Sequence, residues 1–412
     1  MHPLTAPSPP AETASLGAYD LVIVGAGILG LAHAWHAMKL GLSIAVVERD
    51  ERAVGASIRN FGHACVTAQS GLAREYADLS RTEWLRLGEL AGLGVQEAGT
   101  VVVARSEQEE AVLAEFAAQR GDEVQLLGAD ETAATLGLPS GERGEIRSGA
   151  RLGLDLRVDP LIAVSRLAEH LQSGGVTFFF GTNVGTVEPG RVQTSRGSLS
   201  CRHIVVSVGH DVDRFFPAMA DAFEVQRCRL RMLEIDPPRG VAIDPAIFTG
   251  LSLLRYDAFL ELESSRELRA HFEAQAPELL AHDLNHMITQ RPDGGLIVGD
   301  THHRSRTETP FENERSDELV LAETARLFGV TAGASGLRVR KHWRGVYASS
   351  SHTNFLCEMP LPGVRVASVT SGIGMTTSLG FARDSLERLL DPPHPQLPTE
   401  NHTHNHNAKG MK

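Results

Sequence analysis

Three glycines spaced as Gly25-Ala26-Gly27-Ile28-Leu29-Gly30, with an acid following at Glu48, are the residues of this chain whose types and spacing most directly prescribe a chemistry. Gly25 permits a tight turn, Gly27 lets a pyrophosphate approach the backbone, and Gly30 lets a helix close on a strand. The free N–H groups at that helix start, with their partial positive charge, suit phosphate oxygens. A carboxylate at Glu48 can accept both hydroxyls of an adenosine ribose and repels a 2′-phosphate. The chemistry is dinucleotide binding with NADP disfavoured, and the plain alternative is an ordinary tight βα turn.

The elements that must position these residues are legible nearby. Tyr19–Val24 is a short apolar run without alternation, as a buried parallel strand reads. A helical stretch follows to Leu40 and stops at Gly41, and Ser43–Val47 is a second buried strand. Arg49 and then Gly55-Ala56-Ser57-Ile58-Arg59-Asn60-Phe61-Gly62-His63 come directly after the acid. Such a glycine-rich polar segment is more than NAD needs, whereas FAD is longer and requires contacts from later segments. A second strand, Val364–Val369, runs into Ser371-Gly372-Ile373-Gly374-Met375-Thr376 and another helix. That helix start can donate N–H groups where negative charge develops on a reduced flavin. Two such turns near opposite ends of the chain favour FAD over NAD.

With these residues in view, the chain from Tyr19 to about Leu390 resembles the FAD-dependent D-amino-acid oxidase superfamily, which includes glycine oxidase and sarcosine oxidase. The run Gly55-Ala56-Ser57-Ile58-Arg59-Asn60-Phe61-Gly62-His63-Ala64-Cys65-Val66-Thr67 is similar to a branch of amine oxidoreductases often found alongside phosphonate-breakdown functions. The resemblance implies that Val184 meets the adenine through its backbone, that Ser207 and Gly209 close beneath the cofactor, and that the Gly372–Thr376 turn serves the flavin. It also implies an activity, in which a small anionic amine is oxidised at the carbon next to nitrogen. The imine then hydrolyses to a carbonyl compound and a smaller amine, and electrons pass to dioxygen or another acceptor. In sarcosine-oxidase relatives a cysteine ahead of the C-terminal turn tethers the flavin. Here that segment reads His342-Trp343-Arg344-Gly345-Val346-Tyr347, so noncovalent FAD is expected.

An anionic amine needs an anchor, and arginine grips carboxylate or phosphonate through two parallel hydrogen bonds. Arg59, Arg255 and Arg344 are the candidates, with His63, His302 and His303 in segments expected to line the site. The resemblance also offers Lys341 a place near the flavin N5 by way of water, as a lysine has in some relatives. No metal site is expected, since the spacing His282-x-x-x-His286 lacks a third ligand. Two other readings stand beside the amine oxidoreductase: a D-amino-acid or 2-hydroxy-acid flavin dehydrogenase, and a non-catalytic FAD-binding subunit.

The fold class expected is α/β, a Rossmann-like FAD-binding domain with an inserted substrate domain of mixed and antiparallel sheet. Residues 19–80, 150–220 and 340–390 are assigned to the first, and 81–149 and 221–339 to the second. Asp159 and Pro160 open a helix, and Met287–Arg291 and Leu296–Asp300 flank a hairpin turn. Residues 1–18 and 391–412, rich in Pro, Ser, Asn and His, read as a disordered lead and tail. A formal charge of −12 without a basic face excludes a dedicated nucleic-acid binder, and no apolar run approaches the roughly 20 residues of a membrane span. The four cysteines are scattered, which fits a reducing cytoplasm.

Overall fold

The computed structural model describes residues 14–330 and 336–391. The expected tail, apart from Asp391, and most of the expected lead lie outside the described residues. The lead is nonetheless shorter than expected. Strand β1 begins at Ser15 and runs to Val24, and Ser15 pairs with Ser198 of the neighbouring strand.

β1, helix α1 (Ile28–Lys39) and strand β2 (Ile44–Val47) form the anticipated βαβ unit. β1 lies between β2 and the strand Gly197–Val206, parallel to both, and Val364–Val369 joins the far side of Gly197–Val206, again parallel. Thr177–Phe179 extends the sheet beyond β2. A fully buried parallel sheet needs cover on both faces. One face, with Leu21 and Ile23, meets α1, helix α2 (Gly71–Ala91), Pro160–Ser173 and the C-terminal helix Gly374–Leu390. The other, with Val22 and Val24, is covered by a small antiparallel extension and the segment after Val206. Asp159 caps its helix by accepting from the Leu161 N–H at 3.0 Å, with Pro160 in the first turn.

A second eight-stranded sheet forms the roof. Its central strands Gln226–Ile235, Leu296–Ser305 and Val339–Ser349 pair antiparallel, and Met287–Gln290 forms the expected hairpin with Leu296–Ser305. Two expected boundaries shift. Val339–Ser349 and Ser148–Leu152 both pair within the roof sheet, not the nucleotide-type sheet. The reason is hydrogen-bond partnership: neither run carries a local pattern that assigns it to one sheet, and only its neighbour decides.

Candidate active site

One cavity of about 750 Å³ lies between the two sheets, and both glycine-rich turns open onto it. At the first turn Gly25 has φ +104°, and a Cβ there would come within 2.4 Å of the Ser207 carbonyl oxygen. A Cβ on Gly30 would stand 2.0 Å from the Gly25 carbonyl, so Gly30 serves helix–strand approach and does not itself line the cavity. Gly27 and Ile28 face the cavity, and Ser57 Oγ accepts from the Ile28 N–H at 2.9 Å. Glu48, at the end of β2, accepts from the Ala26 N–H at 2.8 Å and the Asp50 N–H at 3.1 Å, which sets its carboxylate at the mouth of the turn.

The segment after Glu48 is a short 3₁₀ turn, Ala56–Ile58. Asn60 braces it, donating to the Ala56 and Ser57 carbonyls and accepting from the Gly62 N–H. Arg49, Ala56, Ser57, Arg59, Asn60 and His63 all border the cavity. Gly62 does not: at φ +69° a Cβ there would strike the Val158 carbonyl oxygen at 2.3 Å, so it is a packing glycine and not a cofactor contact. Val184, Ser207 and Gly209 lie along the same cavity, as do Gly372, Ile373, Gly374, Met375 and Thr376. The second turn is fixed from outside by two hydrogen bonds. Trp84, fully buried on α2, donates to the Met375 carbonyl at 2.8 Å, and the Cys65 N–H donates to Thr376 Oγ1 at 3.0 Å.

The cavity wall also carries polar atoms with nothing to bind. Ser207 Oγ, Ser371 Oγ, Ser378 Oγ and His63 Nδ1 are buried without a hydrogen-bond partner among the described residues. Buried polar groups are rarely left so, and several converging on one cavity mark where a polar ligand completes the structure. These atoms, with the two glycine turns and Glu48, fit a dinucleotide with a further ring system.

The candidate anchors separate clearly. Arg255 faces the cavity, and its Nη2 donates to the Tyr347 hydroxyl at 2.8 Å. A Cβ on Gly372 would lie 3.0 Å from the Tyr347 ring and 3.3 Å from Arg255 Nη2, so this pair sits directly on the second glycine turn. Arg255 forms no ion pair among the described residues, although burial costs it and the Tyr347, Asp300 and Tyr256 side chains favour its charge. Arg59 also borders the cavity, donating to the Arg344 carbonyl at 3.3 Å.

Arg344 does not reach the cavity. Residues alternate faces along a strand, and Gly345 and Tyr347 take the inner one. Arg344 points outward to Glu308, Glu312 and the Thr309 carbonyl. His303 fails for the same reason: His302 and Arg304 line the cavity, while His303 is exposed. Lys341 is largely exposed and pairs with Glu234, away from the site.

His63 is buried, with Nε2 2.6 Å from Thr100 Oγ1, which donates in turn to Asp155 Oδ2 at 2.6 Å. Since the Thr100 hydroxyl has one proton and gives it to Asp155, His63 Nε2 is the donor to Thr100. Asp155 also accepts from the Thr67 N–H and hydroxyl, and although burial opposes its charge these partners hold its carboxyl below the usual range. His63, Cys65 and Asp155 are close enough to suggest a metal, but the Asp155 oxygens are already committed to this network. His282 and His286 find separate partners, Ser316 and Thr324.

Sequence reasoning missed Tyr256, Asn285, Met287 and Asp300, all of which border the cavity. Each lies in an irregular segment or a two-sided strand where no local pattern marks the inward face.

A family model described as FAD dependent oxidoreductase (DAO) matches residues 20–388. The chain belongs to the DAO family of FAD-dependent oxidoreductases. The family is FAD-dependent, and the two glycine turns and Glu48 described above border a cavity whose lining is compatible with such a cofactor. A glycine oxidase from Bacillus licheniformis is 28% identical over 204 residues, covering 46% of this chain and 54% of that relative, so the match spans about half its length. Among solved structures, glycine oxidase from Bacillus cereus superposes with a TM-score of 0.71 at 17% identity, covering 90% of this chain and 95% of that one. Iminodiacetate oxidase from Chelativorans sp. superposes with a TM-score of 0.70 at 17% identity, covering 92% and 97%. At such identities the superpositions speak for the fold. No helix among the described residues is long and apolar enough to cross a membrane.

Proposed function

We propose that this enzyme oxidises the C–N bond of a small anionic amine, such as an N-substituted glycine or an N-alkylated aminophosphonate, to an imine that hydrolyses to a carbonyl compound and a smaller amine. The observation that carries the reading is Arg255, a cation facing the cavity beside the second glycine turn that forms no ion pair with a carboxylate among the described residues. Burial makes a cation costly, nearby groups such as Asp300 offset that cost without pairing directly, and a substrate anion would supply the direct partner. FAD, when bound noncovalently, supplies the oxidising equivalent and passes the electrons to dioxygen or another acceptor.

The chain's own residues bind and orient. Arg255 offers its guanidinium to the carboxylate or phosphonate, and Tyr347 keeps it from swinging away. Holding the anion beside Gly372 fixes the α-carbon in near-attack geometry. Tyr256 and Met287 contribute the less polar wall, and the aromatic rings of Phe248 and Tyr256 stack at 5.1 Å. The glycine oxidase and iminodiacetate oxidase relatives, named for amino-acid amines, are consistent with this substrate class.

Anaerobic titration of the holoenzyme with sarcosine, iminodiacetate, glycine and N-methyl-2-aminoethylphosphonate tests it, with loss of flavin absorbance as the signal. Bleaching by an anionic amine is expected. Bleaching only by 2-hydroxy acids, or by nothing in the panel while FAD stays bound, overturns it.

A further inference from the structure

Next to Arg255 the cavity holds a pair of acid–base groups that the anchoring of an anion does not use. Asp300, on the strand Leu296–Ser305, is buried and lines the cavity. Its Oδ1 accepts from Asn285 Nδ2 at 3.2 Å, and Ser252 Oγ donates to Asn285 Oδ1 at 2.8 Å, which fixes the amide orientation. Its Oδ2 lies 3.6 Å from His302 Nε2. The other ring nitrogen, His302 Nδ1, stands 2.9 Å from the Asp283 carbonyl oxygen, so it must carry a proton. A neutral His302 therefore turns a lone pair toward a carboxylate oxygen. A single proton between Oδ2 and Nε2 removes that repulsion, so the pair is built to gain and lose one proton as a unit.

We propose that Asp300, coupled to His302, takes the ammonium proton of the bound substrate while Arg255 holds its anion. This rests on the amine reading above. An amino acid or aminophosphonate arrives as a zwitterion, and a site with a cation and an anion side by side matches both ends. In the step one N–H bond of the ammonium breaks and an O–H bond forms on Asp300. The electron pair stays on nitrogen, where it is available to form the C=N bond as the α-carbon is oxidised. No electrons change hands in the transfer itself.

The electrostatics of the pocket agree. Burial pushes the Asp300 carboxyl up to about 7 against the pull of Arg255 and the Asn285 hydrogen bond. Burial and Arg255 push His302 down to about 3, so below about pH 7 the pair's proton resides on Asp300, and above it Asp300 is a free carboxylate able to accept one. The charged and titratable groups around Asp300 are Arg255 and Tyr256 from the loop after Leu254, Asp283 from the segment before the hairpin, and His302 and Arg304 from its own strand. Tyr347 and Cys228 face it from the two neighbouring roof strands. Asp283 is engaged by Arg304 at 2.6 Å, whereas Asp300, whose charge supports that of Arg255, pairs with no arginine among the described residues. A proton acceptor works best with a pKa near the operating pH.

The experiment is anaerobic rapid-mixing reduction of the FAD-loaded enzyme by saturating sarcosine from pH 5.5 to 9.5, for wild type and D300N. In wild type the bleaching rate rises to about pH 7 and then levels. In D300N the amine must lose its proton to solvent, so the rate at pH 7 falls by at least tenfold. It then climbs about tenfold per pH unit toward the amine's own pKa near 10. Acetate binding, read from the flavin spectrum, supplies a second measure and shows that D300N is folded. Wild-type affinity for acetate weakens above about pH 7 as Asp300 ionises, whereas D300N binds acetate equally across the range. A D300N profile parallel to wild type, or acetate affinity in wild type that stays flat through pH 7, overturns the assignment of Asp300. Wild type that no amine bleaches overturns the amine reading itself, so the two failures are distinguishable.

Discussion

Arg255 Nη2 donates to the Tyr347 hydroxyl at 2.8 Å, joining an irregular loop to a roof strand directly over the Gly372 turn. The hydrogen bond spends one donor of the guanidinium and leaves the rest of its fork for an anion. Replacing Arg255 by Gln removes the charge while keeping a donor. Loss of a charge-assisted pair costs about 1.5–3 kcal/mol, so KM for an anionic amine should rise roughly 10- to 150-fold. Steady-state kinetics against a neutral amine of similar size provide the control, since its KM should change little. An equal rise for both would mean that Arg255 shapes the cavity and does not hold the anion.

Arg344, by contrast, lies on the outer face of the same strand and binds Glu308, Glu312 and the Thr309 carbonyl. Arg344→Ala should leave KM for the same amine within about twofold. Its pairs are partly exposed, so the stability cost should stay within about 1 kcal/mol. A denaturant titration and a substrate titration together check this, and a KM rise comparable with R255Q would contradict the outward placement.

The glycine turns predict a loss of cofactor and not merely of rate. A Cβ at Gly25 would come within 2.4 Å of the Ser207 carbonyl and demands φ +104°, which only glycine adopts without strain. Gly25→Ala should yield protein with most of its FAD missing, measured as flavin-to-protein absorbance ratio after gel filtration. Full FAD content would show that the turn tolerates a shift that the packing here denies it.

Acid stability should be set by buried neutral histidines. Burial holds His33 and His286 down to about 4, below the 6.5 of an unfolded chain. The stability each contributes is complete above pH 6.5 and is lost as pH falls toward 4. At pH 5 the loss amounts to about 2 kcal/mol per histidine. Thermal melts at pH 7.5 and pH 5 should show a lower Tm at pH 5, and His286→Gln should narrow that gap. An unchanged gap would place the acid sensitivity elsewhere.

Glycine spacing, buried strands and the helix capped by Asp159 were legible because each is a local pattern whose meaning does not depend on distant neighbours. The choice between Arg255 and Arg344 was not. It turns on the phase of one strand, fixed by pairing with Gln226–Ile235, a partner more than a hundred residues earlier in the chain. Gly62 was misread as a cofactor contact because its glycine serves the Val158 carbonyl, a contact invisible in sequence. Asp300 was overlooked for a different reason. Nothing in Val298-Gly299-Asp300 tells that burial and a histidine on the same face will hold a proton on that carboxyl.

The cavity takes walls from Gly25, Ser207 and Gly372, and the last of these is steadied by Trp84 through the Met375 carbonyl. A ribosome makes the Gly25 turn more than three hundred residues before the Gly372 turn. Until the helix Gly374–Leu390 emerges, α1 and α2 lack one of the surfaces they bury against, and the glycine turn that completes the cavity does not yet exist. Cofactor capture thus waits on the second turn, and a nascent chain stalled before Gly372 leaves the ribosome colourless.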